Sequence, residues 1–232
     1  EVKTAYAEIA KATAAPKFWR TAERFTAKTT LLDGSQVIDA GIVANYHSVT
    51  FNGLESNNLY GYRVGDGEHW SEWIQFRTAS TTNDKFSFLY VGDAQNYILE
   101  LWSRLIRQGF QLAPDASFIV HAGDLVGDAH REEHWEEWFK AGSFIHGMIP
   151  SFPTPGNHEY DYLYDNQDNK QKQLSIQWRH QFTLPENGPK GIDELKETTY
   201  YMDYQGVRMI SLNSNVHLEE QAKWLREVLA NN

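Results

Sequence analysis

The chain has 232 residues, with 8 Trp, 12 Tyr, 12 Phe, no Cys and a formal net charge of -10 at pH 7. That length suits one or two domains with an aromatic core, and the acidic balance argues against general nucleic-acid binding, which needs a basic face to meet phosphates. Without cysteine there is no disulfide or thiolate ligand, so any metal must be held by oxygen and nitrogen; no apolar run approaches the ~18 residues of a membrane span, and Glu1-Val2-Lys3 is no signal peptide.

Residues 3–9 alternate loosely, 25–30 are rich in Thr, 46–51 and 59–64 have the composition and period-two pattern of strands, and 73–78 close a set of short strands. Asp33-Gly34, Asn52-Gly53 and Gly65-Asp66-Gly67 are turn signals between them. Turns at roughly 8–12-residue intervals predict a β-sandwich. The run Val49-Thr50-Phe51-Asn52-Gly53-Leu54, followed by Leu59-Tyr60-Gly61-Tyr62-Arg63-Val64, resembles the E–F corner of a fibronectin type III domain. That resemblance implies seven strands. About six are visible, so the first is expected to be missing.

Residues 79–84 are polar and aperiodic, and read as a linker between a domain over 1–80 and another over 85–232. The pattern then becomes α/β. Strands are predicted at 86–91, 117–121 and 149–154. Helices are predicted at 97–108, with Leu101 and Leu105, and at 131–145, with Trp135, Trp138 and Phe139 on one face. Residues 162–180 read as helix and loop, with Trp178 and Phe182 packing late. A hairpin is predicted at 199–203 and 207–212 around Gln205-Gly206. A last helix at 218–229 carries a stripe of Leu218, Ala222, Leu225 and Leu229. No strand follows that helix, so the α/β domain is expected to be unfinished.

Each of the three α/β strands leads into a polar signature: Gly92-Asp93-Ala94-Gln95, Gly123-Asp124 and Gly156-Asn157-His158-Glu159. Asp93 and Asp124 are 31 residues apart, and Asp124 and Asn157 are 33 apart, each interval fitting one helix plus one strand. Parallel strands would bring all three to one carboxyl edge, where α/β enzymes build their sites. Two carboxylates and an amide carbonyl are oxygen donors for hard or borderline divalent ions, and imidazole would complete a site for Zn, Fe or Mn. A carboxylate such as Asp124 can bridge two ions that activate water for an in-line displacement. His158 is placed to act as acid or to stabilise charge on the leaving group.

These ordered blocks resemble the first three of the calcineurin-like metallophosphoesterases. With the fibronectin-like segment and the Tyr200–Ile210 pattern Tyr-Tyr-x-Asp-Tyr-x-Gly-Val, they are similar to the purple acid phosphatase branch, especially its bacterial members. The resemblance implies that Asp93 binds a first metal, Asp124 bridges, Asn157 binds a second metal and His158 assists the leaving group. It places His121 no nearer than behind the ligands. It implies two metal ions (Fe, Zn or Mn), a small-molecule phosphoester substrate, and a secreted or periplasmic setting. A monoester is the expected substrate, a diester the alternative. Three departures stand out. Gln95 stands where the superfamily usually has His, and could be a weak ligand, a donor behind the ligands or a phosphate contact. Gly127 stands where the branch has a tyrosine. The family's later His blocks are expected beyond residue 232, since His217 matches neither. These departures also motivate an alternative in which the scaffold is an inactive binding module.

Rival readings attach to other residues. Gly65-Asp66 sits in a turn of the sandwich and is assigned no chemistry. His130-Arg131-Glu132-Glu133-His134 fits the inverted zinc-protease pattern H-x-x-E-H, a short motif with a high false-positive rate. Asp161, Asp165 and Asp168 lack the glycine and terminal Glu spacing of a calcium loop and read as polar surface.

Overall fold

A computed structural model describes residues 2–35, 41–162 and 172–230. The chain opens in six antiparallel strands. β1 (Tyr6–Lys11), β2 (Glu23–Thr26), β5 (Leu59–Gly65) and β6 (Ile74–Arg77) form a sheet of order β2-β1-β5-β6. β3 (Lys28–Asp33) and β4 (Val43–Ser48) form a separate hairpin. The strand predicted at 25–30 is thus two strands. The break falls at Ala27, whose N–H donates to the Ala5 carbonyl at 2.9 Å instead of continuing a ladder. Gly53 and Gly67 occupy the left-handed region at the two predicted turns, where a side chain would be strained. Buried Glu8 accepts from Arg24 and Arg63, whose guanidinium groups lie over the Trp70 ring.

The α/β part follows. β7 (Leu89–Val91), β8 (Ile119–His121) and β9 (Ser151–Pro153) pair in parallel, with Val91, His121 and Pro153 in register. Alternation sends β8 side chains to two cores. Ile119 joins a cluster with Ile106, Trp135, Trp138, Ile145 and Trp178 under the helices. Phe118 and Val120 join Phe152 and Tyr200 on the other face. That second face is covered by a hairpin of β12 (Tyr200–Tyr204) and β13 (Val207–Ser211), turning at Gln205-Gly206 with both φ values positive. Between β9 and that hairpin, β10 (Tyr160–Asp161) pairs with β11 (Gln173–Leu174).

The helices depart from expectation in register. The first begins as one π-helical turn, Ile98–Trp102, before α1 (Ser103–Leu112). Its buried side chains are Ile98, Trp102 and Ile106, while Leu101 and Leu105 are exposed. The predicted helix 131–145 is broken into α2 (Glu132–Gly142) and α3 (Phe144–Met148). Ser143 adopts a φ of 46°, and the His146 ring folds back over Gly142, where a Cβ would overlap it. After α4 (Trp178–Gln181), which buries Trp178, the last helix α5 (Leu218–Ala230) buries Gln221, Trp224 and Val228. Leu218 and Leu229 of the predicted stripe are exposed, because Trp224 offers more area to bury and turns the helix toward itself. Asp165 and Asp168, and most of the polar run before Trp178, lie outside the described residues.

The two parts meet through polar contacts. Tyr46 Oη on β4 donates to Glu132 at 3.2 Å, Tyr62 Oη on β5 donates to the Gly147 carbonyl at 2.8 Å, and Gln205 bridges Ser80 N–H and the Asp84 carbonyl. No helix among the described residues is long and apolar enough to cross a membrane.

Candidate metal centre

The three signatures follow the carboxyl ends of β7, β8 and β9, and backbone contacts join them there. Asp93 N–H donates to the Gly123 carbonyl at 3.2 Å, and His158 N–H donates to Asp124 Oδ1 at 2.9 Å. Asp93 and Asp124 both hold left-handed backbones, with φ of 53° and 52°. For a residue with a Cβ that conformation is uncommon, and Asp is among the residues that tolerate it best. Such local strain concentrates at functional sites.

The glycines are required by close approach. A Cβ at Gly123 would lie 2.8 Å from the Gly156 backbone, and one at Gly156 would lie 2.2 Å from Asp124 Oδ1 and 2.5 Å from Asp124 N. The second and third signatures therefore pack backbone against backbone.

Glu159 ties them together. Its side chain is fully buried and accepts N–H groups from Asp124 (2.9 Å), Leu125 (2.9 Å), Val126 (3.4 Å) and Gly156 (2.7 Å). Burial pushes its carboxyl up to about 7, against the pull of those hydrogen bonds. Nothing in the motif itself gives Glu159 this role. Its signal was its place beside Asn157-His158, but only the fold shows which amides it receives. Asn215, also missed, donates to the carbonyls of Pro155 (3.3 Å) and Gly156 (3.2 Å), bracing the same turn from the loop after β13.

Among the predicted site residues, Asp93 and Asn157 are exposed, and Asp124 and His158 half-buried. The Asp93 carboxylate has no hydrogen-bond or ionic partner among the described residues. Gln95 Nε2 reaches Asp124 Oδ2 at 3.4 Å, a long contact. His158 Nδ1 lies 2.7 Å from the Gly127 carbonyl. A carbonyl only accepts, so Nδ1 carries a proton and Nε2 is the atom left to exchange one. His121 ends β8, three residues ahead of Asp124. It is buried against Trp102, Trp138 and His146, with Nε2 3.2 Å from Ser151 Oγ, and burial lowers it to about 3.

The H-x-x-E-H reading loses its geometry. The helix starts at Glu132, so His130 lies ahead of it and the two histidines do not share a helical face. His134 Nδ1 instead accepts the Asp128 N–H at 3.0 Å. His217 is engaged by Glu194.

The carboxylates of Asp93 and Asp124 and the amide of Asn157, which follow the ends of three neighbouring parallel strands, offer hard oxygens of the kind that suit divalent Mn, Fe or Zn. Comparison with known proteins agrees with that chemistry. Residues 1–78 match the model of the purple acid phosphatase N-terminal domain, and residues 69–232 match that of calcineurin-like phosphoesterases. The fold is similar to that of purple acid phosphatase PPD1 from yellow lupin (Lupinus luteus) seeds, with a TM-score of 0.77 and 17% identity over 98% of this chain and 43% of that one. It is also similar to PhoD, with a TM-score of 0.55 and 14% identity over 91% of this chain and 45% of that one. The chain thus spans less than half the length of either. No curated protein sequence matches it.

Proposed function

Because this chain belongs to the calcineurin-like phosphoesterase family, we propose that its three signatures hold a binuclear metal site that hydrolyses small phosphoesters, most readily monoesters. The observation that carries the reading is the meeting of Asp93, Asp124 and the Asn157 turn at one sheet edge through Asp93 N–H to Gly123 and His158 N–H to Asp124. Asp93 would hold the first ion, Asp124 would bridge and Asn157 would hold the second. When bound, the ions would supply an activated water and stabilise the oxygens of an in-line displacement.

The chain's own residues would do the rest. Gly127 fixes the ring of His158 through Nδ1, so that Nε2–H can be given to the leaving oxygen. Gln95 would steady the Asp124 carboxylate. The same reading sets the division of the chain near residues 79–84, and a secreted or periplasmic setting fits the purple acid phosphatase branch.

The test is p-nitrophenyl phosphate turnover by the full-length protein with its metal content measured. Turnover that requires metal and is abolished in Asp124→Ala is expected. A folded protein that neither takes metal nor turns over would instead support a binding module.

A further inference from the structure

A second group of ligand atoms lies outside the signatures. Among the described residues, Asp128, His130 and Asp161 form a group whose ligand atoms all lie within 4.8 Å of one another. Asp128 and His130 sit in the loop between β8 and α2, and Asp161 ends β10, directly after the Asn157–Glu159 turn.

The framework around the group is built from buried hydrogen bonds. Ser175 Oγ and Trp135 Nε1 both donate to the Ala129 carbonyl, at 2.5 Å and 3.0 Å. Gln177 Nε2 donates to the His130 carbonyl at 3.0 Å. Ser175 N–H donates to the Glu159 carbonyl at 2.8 Å, fixing the strand that carries Asp161. His130 is 2% exposed and the two aspartates are half-buried.

Each carboxylate is also oriented by an amide. His130 N–H donates to Asp128 Oδ1 at 3.0 Å and Tyr162 N–H donates to Asp161 Oδ1 at 2.7 Å. Such outer hydrogen bonds are what orient metal-ligating carboxylates. Arg131, 3.4 Å from Asp128 Oδ2, is the ion-pair partner found for this pair of acids among the described residues.

We propose that Asp128, His130 and Asp161 form a separate divalent-metal site, holding an ion of the Zn2+ class by one imidazole nitrogen and two carboxylate oxygens, with water completing the shell. The site lies one residue along from Gly127, whose carbonyl holds His158. An ion there would stiffen the loop that aims the imidazole.

The experiment is a Zn2+ titration against a competing chromophoric chelator, using the chain carrying Asp93→Asn and Asp124→Asn. With those carboxylates removed, zinc uptake reports the second group alone, and its result is independent of the turnover test above. One Zn2+ per chain is expected, with affinity falling about tenfold or more on adding Asp161→Asn or His130→Ala. Asp161→Asn keeps an acceptor for the Tyr162 amide, and near-ultraviolet circular dichroism checks that it stays folded. Should His130→Ala fail to fold, Asp161→Asn carries the test. No zinc uptake by the folded Asp93→Asn/Asp124→Asn chain, or uptake unchanged by Asp161→Asn, would overturn the proposal.

Discussion

Glu159 holds Asp124 by its backbone: Oε2 accepts the Asp124 N–H at 2.9 Å while the same oxygen accepts Gly156 N–H at 2.7 Å. One buried carboxylate therefore sets the spacing between the second and third signatures. Replacing it with alanine would leave the amides of Asp124, Leu125 and Gly156 without this acceptor. Each orphaned buried amide costs about 1–3 kcal/mol, so Glu159→Ala should lose about 3 kcal/mol or more in urea unfolding. Glu159→Gln, which keeps one acceptor oxygen, should lose less. Equal stability of Glu159→Ala and wild type would remove Glu159 from this role.

Gly156 is the second point of control. A methyl group there would sit 2.2 Å from Asp124 Oδ1, inside any allowed contact. Gly156→Ala should push the Asp124 carboxylate away, at a cost of about 1–3 kcal/mol. Its Mn2+ affinity should fall further than that of Gly191→Ala, where a Cβ meets nothing within 4 Å although φ is positive. Isothermal titration of both variants makes the comparison. Equal Mn2+ binding would show that the close approach is not needed.

The sheet edge that carries the candidate site was legible in the sequence because its signal is local. A strand followed by Gly-Asp or Gly-Asn-His-Glu is a contiguous pattern, and even spacing predicted the parallel order that brings β7, β8 and β9 together. Glu159 and Asn215 gained their roles only from partners far along the chain, such as Leu125 and Pro155, which no local pattern names. Helix existence was legible but helix facing was not. Apolar residues on two adjacent stripes compete: in the helix that runs from Ile98 through α1 the stripe of Ile98, Trp102 and Ile106 is buried while Leu101 and Leu105 face outward, and in α5 Trp224 and Val228 are buried while Leu218 and Leu229 face outward. The split at Ser143 was hidden because Gly142-Ser143 interrupts no apolar period; it follows from the His146 ring needing the space over Gly142.

The buried imidazoles of His121 and His146 predict acid sensitivity. Burial lowers both, His121 to about 3 with help from neighbouring His146, and His146 to about 4. An unfolded histidine titrates near 6.5, so the unfolded state takes up protons first as pH falls. The contribution of the neutral rings to stability is full above that value. It shrinks as pH falls toward about 4 for His146 and about 3 for His121, by up to about 1.4 kcal/mol per pH unit for each ring. His146→Leu should flatten the fall of the urea midpoint between about pH 6.5 and pH 4.5. An unchanged slope would contradict the assignment.

Mn2+ titration followed by electron paramagnetic resonance tests most directly whether Asp93, Asp124 and Asn157 bind metal together. The chain should carry Asp161→Asn, so that binding at the second group is weakened. Mn2+ binding to this chain should weaken by about tenfold or more when Asp93, Asp124 or Asn157 is replaced by alanine, one at a time. Mn2+ binding that survives all three replacements unchanged, or a folded chain that takes none, would contradict it.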